Sequence, residues 1–157
     1  MSNLYGNGYI QGFLRLLSGA RIVDTVNTQY LLALVETVSA TLEKAVFIVP
    51  QNMTILTAQL TATTSITAND TNYWTFAMTN TTASKSLLLA TDVNTTKATG
   101  GSGITANTLR SLSLTSTTAD LTVAKGDLVT FTFTKTSSAS NIVGGLLKLG
   151  YVEVWVL

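Results

Sequence analysis

A chain of 157 residues suits one domain whose hydrophobic core is large enough to hold without staples, and it leaves little room for a second. Lysine and arginine number 9 against 8 acidic residues, a net charge of +1 with no basic cluster, so the field that gathers nucleic acid is missing. The absence of histidine and cysteine removes imidazole bases, thiolate chemistry, disulfides and cysteine-ligated metal.

Charged residues make up 11% of the chain, less than half of the roughly 25% usual in soluble domains, so threonine, serine and asparagine must carry much of the solvation. Such a surface associates easily, because little repulsion keeps copies apart. No stretch approaches the roughly 18 to 20 uninterrupted apolar residues of a spanning helix, and no membrane partner is expected. The start lacks a basic leader region, and its short apolar stretch Phe13 to Leu17 is broken by Arg15, so it reads as mature protein.

Residues 1–29 form the first unit, an extended arm. Tyr5, Tyr9 and Phe13, with Leu14 beside the last, are spaced by Gly6, Gly8 and Gly12, which disfavour a regular helix. Aromatics on such a backbone are the anchors that interfaces favour, and the arm is expected to dock on a neighbouring subunit; a frayed terminus is the alternative. From Ser18 to Val38 a helical stripe through Ile22, Val23, Val26, Tyr30, Ala33 and Leu34 competes with β-branched content, and strand is expected from Tyr30 onward.

Residues 30–157 read as a run of short strands. Val46 to Val49 is closed by Pro50, the only proline. Met53 to Thr64 alternates, with Leu56, Ala58, Leu60 and Ala62 on one face and Ile55, Thr57, Gln59 and Thr61 on the other. The Asx turn at Ala68 to Thr71 launches Asn72 to Asn80, in which Trp74, Phe76 and Met78 share a face. Ser86 to Thr91, a loop through Gly100, Gly101 and Gly103, and strands near Thr108 to Ser116 and Asp120 to Ala124 follow. The Lys125, Gly126, Asp127 turn precedes Leu128 to Thr136, where Val129, Phe131 and Phe133 alternate with polar residues; a last strand covers Leu149 to Leu157. Strands at this spacing, with turn chemistry between them, predict an all-β antiparallel sandwich, jelly-roll-like, and no cofactor is needed to hold it. If Val152, Val154 and Val156 enter the core, Tyr151, Glu153, Trp155 and Leu157 face outward, and Tyr151 and Trp155 become candidate contact residues.

Catalytic chemistry finds few reagents. Serine attack would need a lysine base, and none of the six lysines sits in a catalytic frame. No pair among the eight carboxylates is set by sequence for glycoside hydrolysis, and most aspartates lie in turns. Calcium ligation by Asp70, Asp92 and Asp127 has no D-x-D-x-D-G frame, and the Gly100 to Gly103 loop lacks the lysine and helix of a phosphate loop. Four Asn-x-Thr triplets, at Asn52, Asn69, Asn80 and Asn94, read better as turn and strand residues than as glycan acceptors. No small-molecule substrate is expected, and no enzyme.

The series Ile66-Thr67-Ala68-Asn69-Asp70-Thr71-Asn72-Tyr73-Trp74-Thr75-Phe76, a Gly-rich loop, Leu121-Thr122-Val123-Ala124-Lys125-Gly126-Asp127-Leu128-Val129-Thr130-Phe131 and a valine-rich terminal strand resembles head decoration, or cement, proteins of tailed bacteriophages. The resemblance covers roughly the last two-thirds of the chain. It implies a non-enzymatic virion protein, made in the host cytoplasm, that binds the major capsid protein on the outer surface of the capsid as a homotrimer. Tyr5, Tyr9, Phe13, Leu14, Tyr151 and Trp155 would then be the interface residues. The alternative is a carbohydrate- or receptor-binding module of a fibre or tail, stacking sugars on Trp155 or Tyr73.

Overall fold

The computed structural model describes residues 28–89 and 93–154. It holds β1 (Gln29–Val35), β2 (Leu42–Ile48), β3 (Met53–Thr61), β4 (Tyr73–Asn80), β5 (Lys85–Ser86), β6 (Arg110–Leu112), β7 (Thr122–Val123), β8 (Leu128–Thr136) and β9 (Gly145–Glu153), with one 3-10 turn at Thr118–Leu121. One sheet runs β1-β9-β3-β6, with β7 also on β3, and the other β2-β8-β4-β5. Every pairing is antiparallel. β1 to β4 alternate between the two sheets, as do β8 and β9, and the sheets face each other as the antiparallel sandwich that the strand spacing predicts.

The inner faces meet in one core. Phe133 lies directly opposite Phe76, and Phe131 opposite Met78, on the β4–β8 ladder. Phe76 and Phe133 pack edge-to-face, with centroids 6.0 Å apart at 84°, and Phe131 and Phe133 pack tilted at 55° with centroids 4.7 Å apart. Trp74 closes the end of this cluster fully buried, and its Nε1 donates to the Ser140 carbonyl at 2.7 Å, so burial of the indole leaves no orphan donor. From the facing sheet come Met53, Ile55, Leu60, Leu147 and Leu149.

Two predicted faces are corrected. The register on β9 shifts between Ile55 and Thr57, a bulge at Leu56. Ile55 and Ala58 both point inward as a result, and Leu56, which strict alternation puts on the face of Ala58 and Leu60, is exposed. On β9 the strand begins at Gly145, four residues earlier than expected, and Leu147, Leu149 and Tyr151 turn inward in one phase. Lys148 sets that phase, since a lysine at the next position cannot be the inward one. Val152 is therefore half-buried and Val154 exposed, while Val156 lies outside the described residues.

Truncating the cluster should leave a cavity that its β-sheet walls cannot close. Phe131→Ala is expected to cost about 3–5 kcal/mol, read as a lowered urea midpoint with an unchanged slope.

Candidate interaction surface

The structure places one of the six candidate contact residues. Tyr151 is 5% exposed, and its hydroxyl donates to Gln29 Oε1 at 2.8 Å. Gln29 in turn donates through Nε2 to Glu153 Oε1 at 2.6 Å, so the three side chains lock β1 to the end of β9. Tyr151 is thus core, a correction that follows from the β9 phase. Tyr5, Tyr9, Phe13, Leu14 and Trp155, with nearly all of the arm, lie outside the described residues.

The charged side chains are mostly taken up by the fold. Lys148 lies 4.0 Å from the Tyr30 ring centroid, Lys97 4.7 Å from Tyr73, Lys135 5.6 Å from Trp74 and the Arg110 guanidinium 5.4 Å from Phe76. Lys97 occupies one face of the ring that would otherwise stack a sugar at Tyr73. Arg110 also donates through Nη2 to the Thr95 carbonyl at 2.7 Å, while its Nε and Nη1 have no hydrogen-bond partner among the described residues. Burial pushes its pKa below the ordinary arginine value, but a guanidinium remains a cation. Lys85 bridges Asp120 at 3.5 Å.

Aspartates serve turns. Asp127 Oδ2 accepts from the Ala124 N–H at 2.9 Å and from Asn80 Nδ2 at 2.7 Å, around Gly126 at φ +90°. Asp70 accepts from the Thr99 N–H at 2.8 Å and from its hydroxyl at 3.1 Å, stapling the Asx turn to the Gly-rich loop. Two of its glycines leave no space for a side chain: a Cβ on Gly101 would sit 2.3 Å from the Thr95 carbonyl oxygen, and one on Gly103 2.4 Å from that of Ile66. Beside it an open trough of about 390 Å³ is lined by residues 65–68 and 102–105, none of them charged. No three acidic groups gather among the described residues, and Asp92 lies outside them.

The four sequon asparagines are also engaged. Buried Asn94 donates to the Leu89 and Ser113 carbonyls and accepts from the Ser113 N–H, and buried Asn80 holds Asp127. Asn52 accepts from the Lys125 N–H, and Asn69 from those of Thr71 and Asn72.

On the outside, β1 carries an apolar row. Tyr30, Leu32 and Leu34 alternate along β1 with exposures of 53%, 60% and 77%, a ridge on the outer face of the sheet. Across the ladder Leu146 stands opposite Leu34 and Lys148 opposite Leu32, so the ridge continues onto β9. The sequence reading missed it because Gln29–Val35 is apolar on both faces, and alternation then carries no direction. No known protein family, curated protein or solved structure matches this chain.

Two outcomes are expected. Tyr151→Ala should destabilise the fold by about 2 kcal/mol or more, whereas an exposed residue would change it by less than about 0.5 kcal/mol; equilibrium unfolding reads the difference. The Thr99 N–H above all, with the Thr99 hydroxyl, holds the Asp70 carboxyl below its ordinary value against the opposing effect of desolvation. Its contribution is therefore present above the ordinary carboxylate pKa and lost as pH falls through the lowered one. Wild type should melt above Asp70→Ala at pH 7, and thermal melts at successively lower pH should show the gap closing in acid.

Proposed function

We propose that this protein is a capsid decoration protein: a non-enzymatic virion component that binds the outside of a phage shell as a homotrimer and bridges neighbouring capsid subunits. The observation that carries the reading is the contrast on its surface, where cations and carboxylates are spent on rings, turns and loops while leucines stand exposed along β1. A surface of that kind is suited to being covered by protein. The antiparallel sandwich and the sequence resemblance to cement proteins support the same reading, as does a first segment rich in glycine and aromatics that suits reaching across a lattice.

Bridging stabilises the shell by mass action, because the protein binds the assembled lattice and not its separated subunits. Purified protein mixed with capsids lacking it should co-sediment to a fixed copy number and raise the melting temperature of the shell. Replacing Tyr5, Tyr9 and Phe13 together by serine should abolish that binding while leaving the melting of the sandwich itself unchanged. Full binding by the triple variant would remove these residues as anchors, and no binding by wild type would overturn the decoration reading.

A further inference from the structure

We infer that β1 is the contact between two copies of this chain, pairing edge to edge with its own symmetry mate about a two-fold axis through Leu32. The sandwich exposes four sheet edges, and three carry the usual guards against pairing. β5 spans two residues, and β6 and β7 span three and two. β2 is longer, but it carries Glu43 and Lys44 and a register shift between Ala45 and Phe47. β1 has seven residues, Gln-Tyr-Leu-Leu-Ala-Leu-Val, with no charge, no proline and no shift in its register on β9. Its other side pairs with no strand among the described residues.

The free backbone groups can be assigned. The Leu34 carbonyl accepts from Lys44 Nζ at 3.3 Å, from the β2 side, and so points away from β9. In an antiparallel ladder a residue's N–H and C=O point to the same side and alternate along the strand. Tyr30, Leu32 and Leu34 therefore present donors and acceptors at the open edge, and their side chains form the exposed ridge. A second copy laid antiparallel with Leu32 opposite Leu32 places each Tyr30 opposite a Leu34. All three pairs are then of the hydrogen-bonded kind, and the aromatic-aliphatic neighbours on the outer face are the favourable sort. The arrangement is isologous, since one strand supplies both halves.

Charge does not oppose it. The nearest like charges on that face, Lys148 and its mate, would stand three strand spacings apart, about 14 Å, beyond the screening length of about 8 Å at physiological salt. Lys44, reaching over from β2, holds the Leu34 carbonyl by a single long exposed bond and must release it. A two-fold contact of this kind differs from a three-fold one, and would join decoration trimers to one another on a shell; it requires no capsid to be observed.

The chain has no cysteine, so one introduced thiol reports the register without background. In the full-length protein Leu32→Cys brings two thiols together across the axis, within the roughly 4.4 to 6.8 Å between Cα atoms that a disulfide spans. Leu34→Cys places its thiols roughly 14 Å apart along the strands and serves as the control. Under mild oxidation the Leu32→Cys chain should form a covalent dimer at least tenfold faster than the Leu34→Cys chain, and adding Leu34→Lys to it should abolish the difference. Equal rates, or no dimer from either, would overturn the proposal. A monomer whose Leu32 amide is still protected from hydrogen exchange would overturn it too, and would assign the edge to the chain's own residues 1–27.

Discussion

The ladder between β4 and β8 is the constraint on which the rest of this molecule depends. It sets Phe133 against Phe76 and Phe131 against Met78, and a slip of β8 by one residue would bring Thr132 and Thr134 inward in place of the two phenylalanines. Burial of each large side chain in this cluster contributes roughly 1.5–3 kcal/mol, and the aromatic contacts add about 0.5–1.5 kcal/mol per pair. The same ladder positions Trp74, around which two separate segments are organised. Ser140 takes its indole proton, the Thr96 hydroxyl accepts its backbone N–H, and its carbonyl accepts from the Thr96 N–H and the Thr95 hydroxyl. Segment 94–96 thereby covers the side of β4 that β5 is too short to reach.

A chain with so few charges cannot leave them idle. Lys97, Lys135 and Lys148 lie against aromatic rings, where each contact is worth about 0.5–1 kcal/mol at an exposed site. Asp70 and Asp127 do the work of turns. Arg110 lies over Phe76 and reaches across to the Val93 and Thr95 carbonyls, so the inner end of a cation helps fix the loop that follows the undescribed residues 90–92. The polar residues that replace charge are used in the same way, as in the three backbone bonds of buried Asn94. Surface charge that elsewhere sets solubility is here largely converted into local structure.

How much of this was legible follows from where alternation carries information. β4 and β8 mix large apolar residues with threonines, so their inward faces could be read directly. The β3 strand alternates as cleanly, yet its bulge at Leu56 is marked by no glycine or proline, and only pairing with β9 and its shift in register make it visible. For β9 the signal was present: extending the strand back across Lys148 fixes the phase and turns Tyr151 inward, whereas starting at Leu149 leaves the valines to decide wrongly. β1 was expected as a strand from Tyr30 onward and is one, but which way it faces was beyond reach, because both of its faces are apolar. Its direction is imposed by Val35 entering the core and Gln29 reaching Tyr151 and Glu153, both long-range facts. The contact surface is therefore the part of the molecule that local pattern describes least well.

An unguarded strand of leucines is a liability for a protein that stays free in solution, since each exposed edge is a template for pairing with any other. The guards on the remaining edges show that this sandwich is otherwise built to avoid it. Length is trimmed at β5, β6 and β7, and charge with an irregular register protects β2. The exception at β1 makes physical sense if the strand spends its working life covered. Pairing of two copies about Leu32 would cover it, closing the open backbone edge and setting each exposed Tyr30 beside a Leu34.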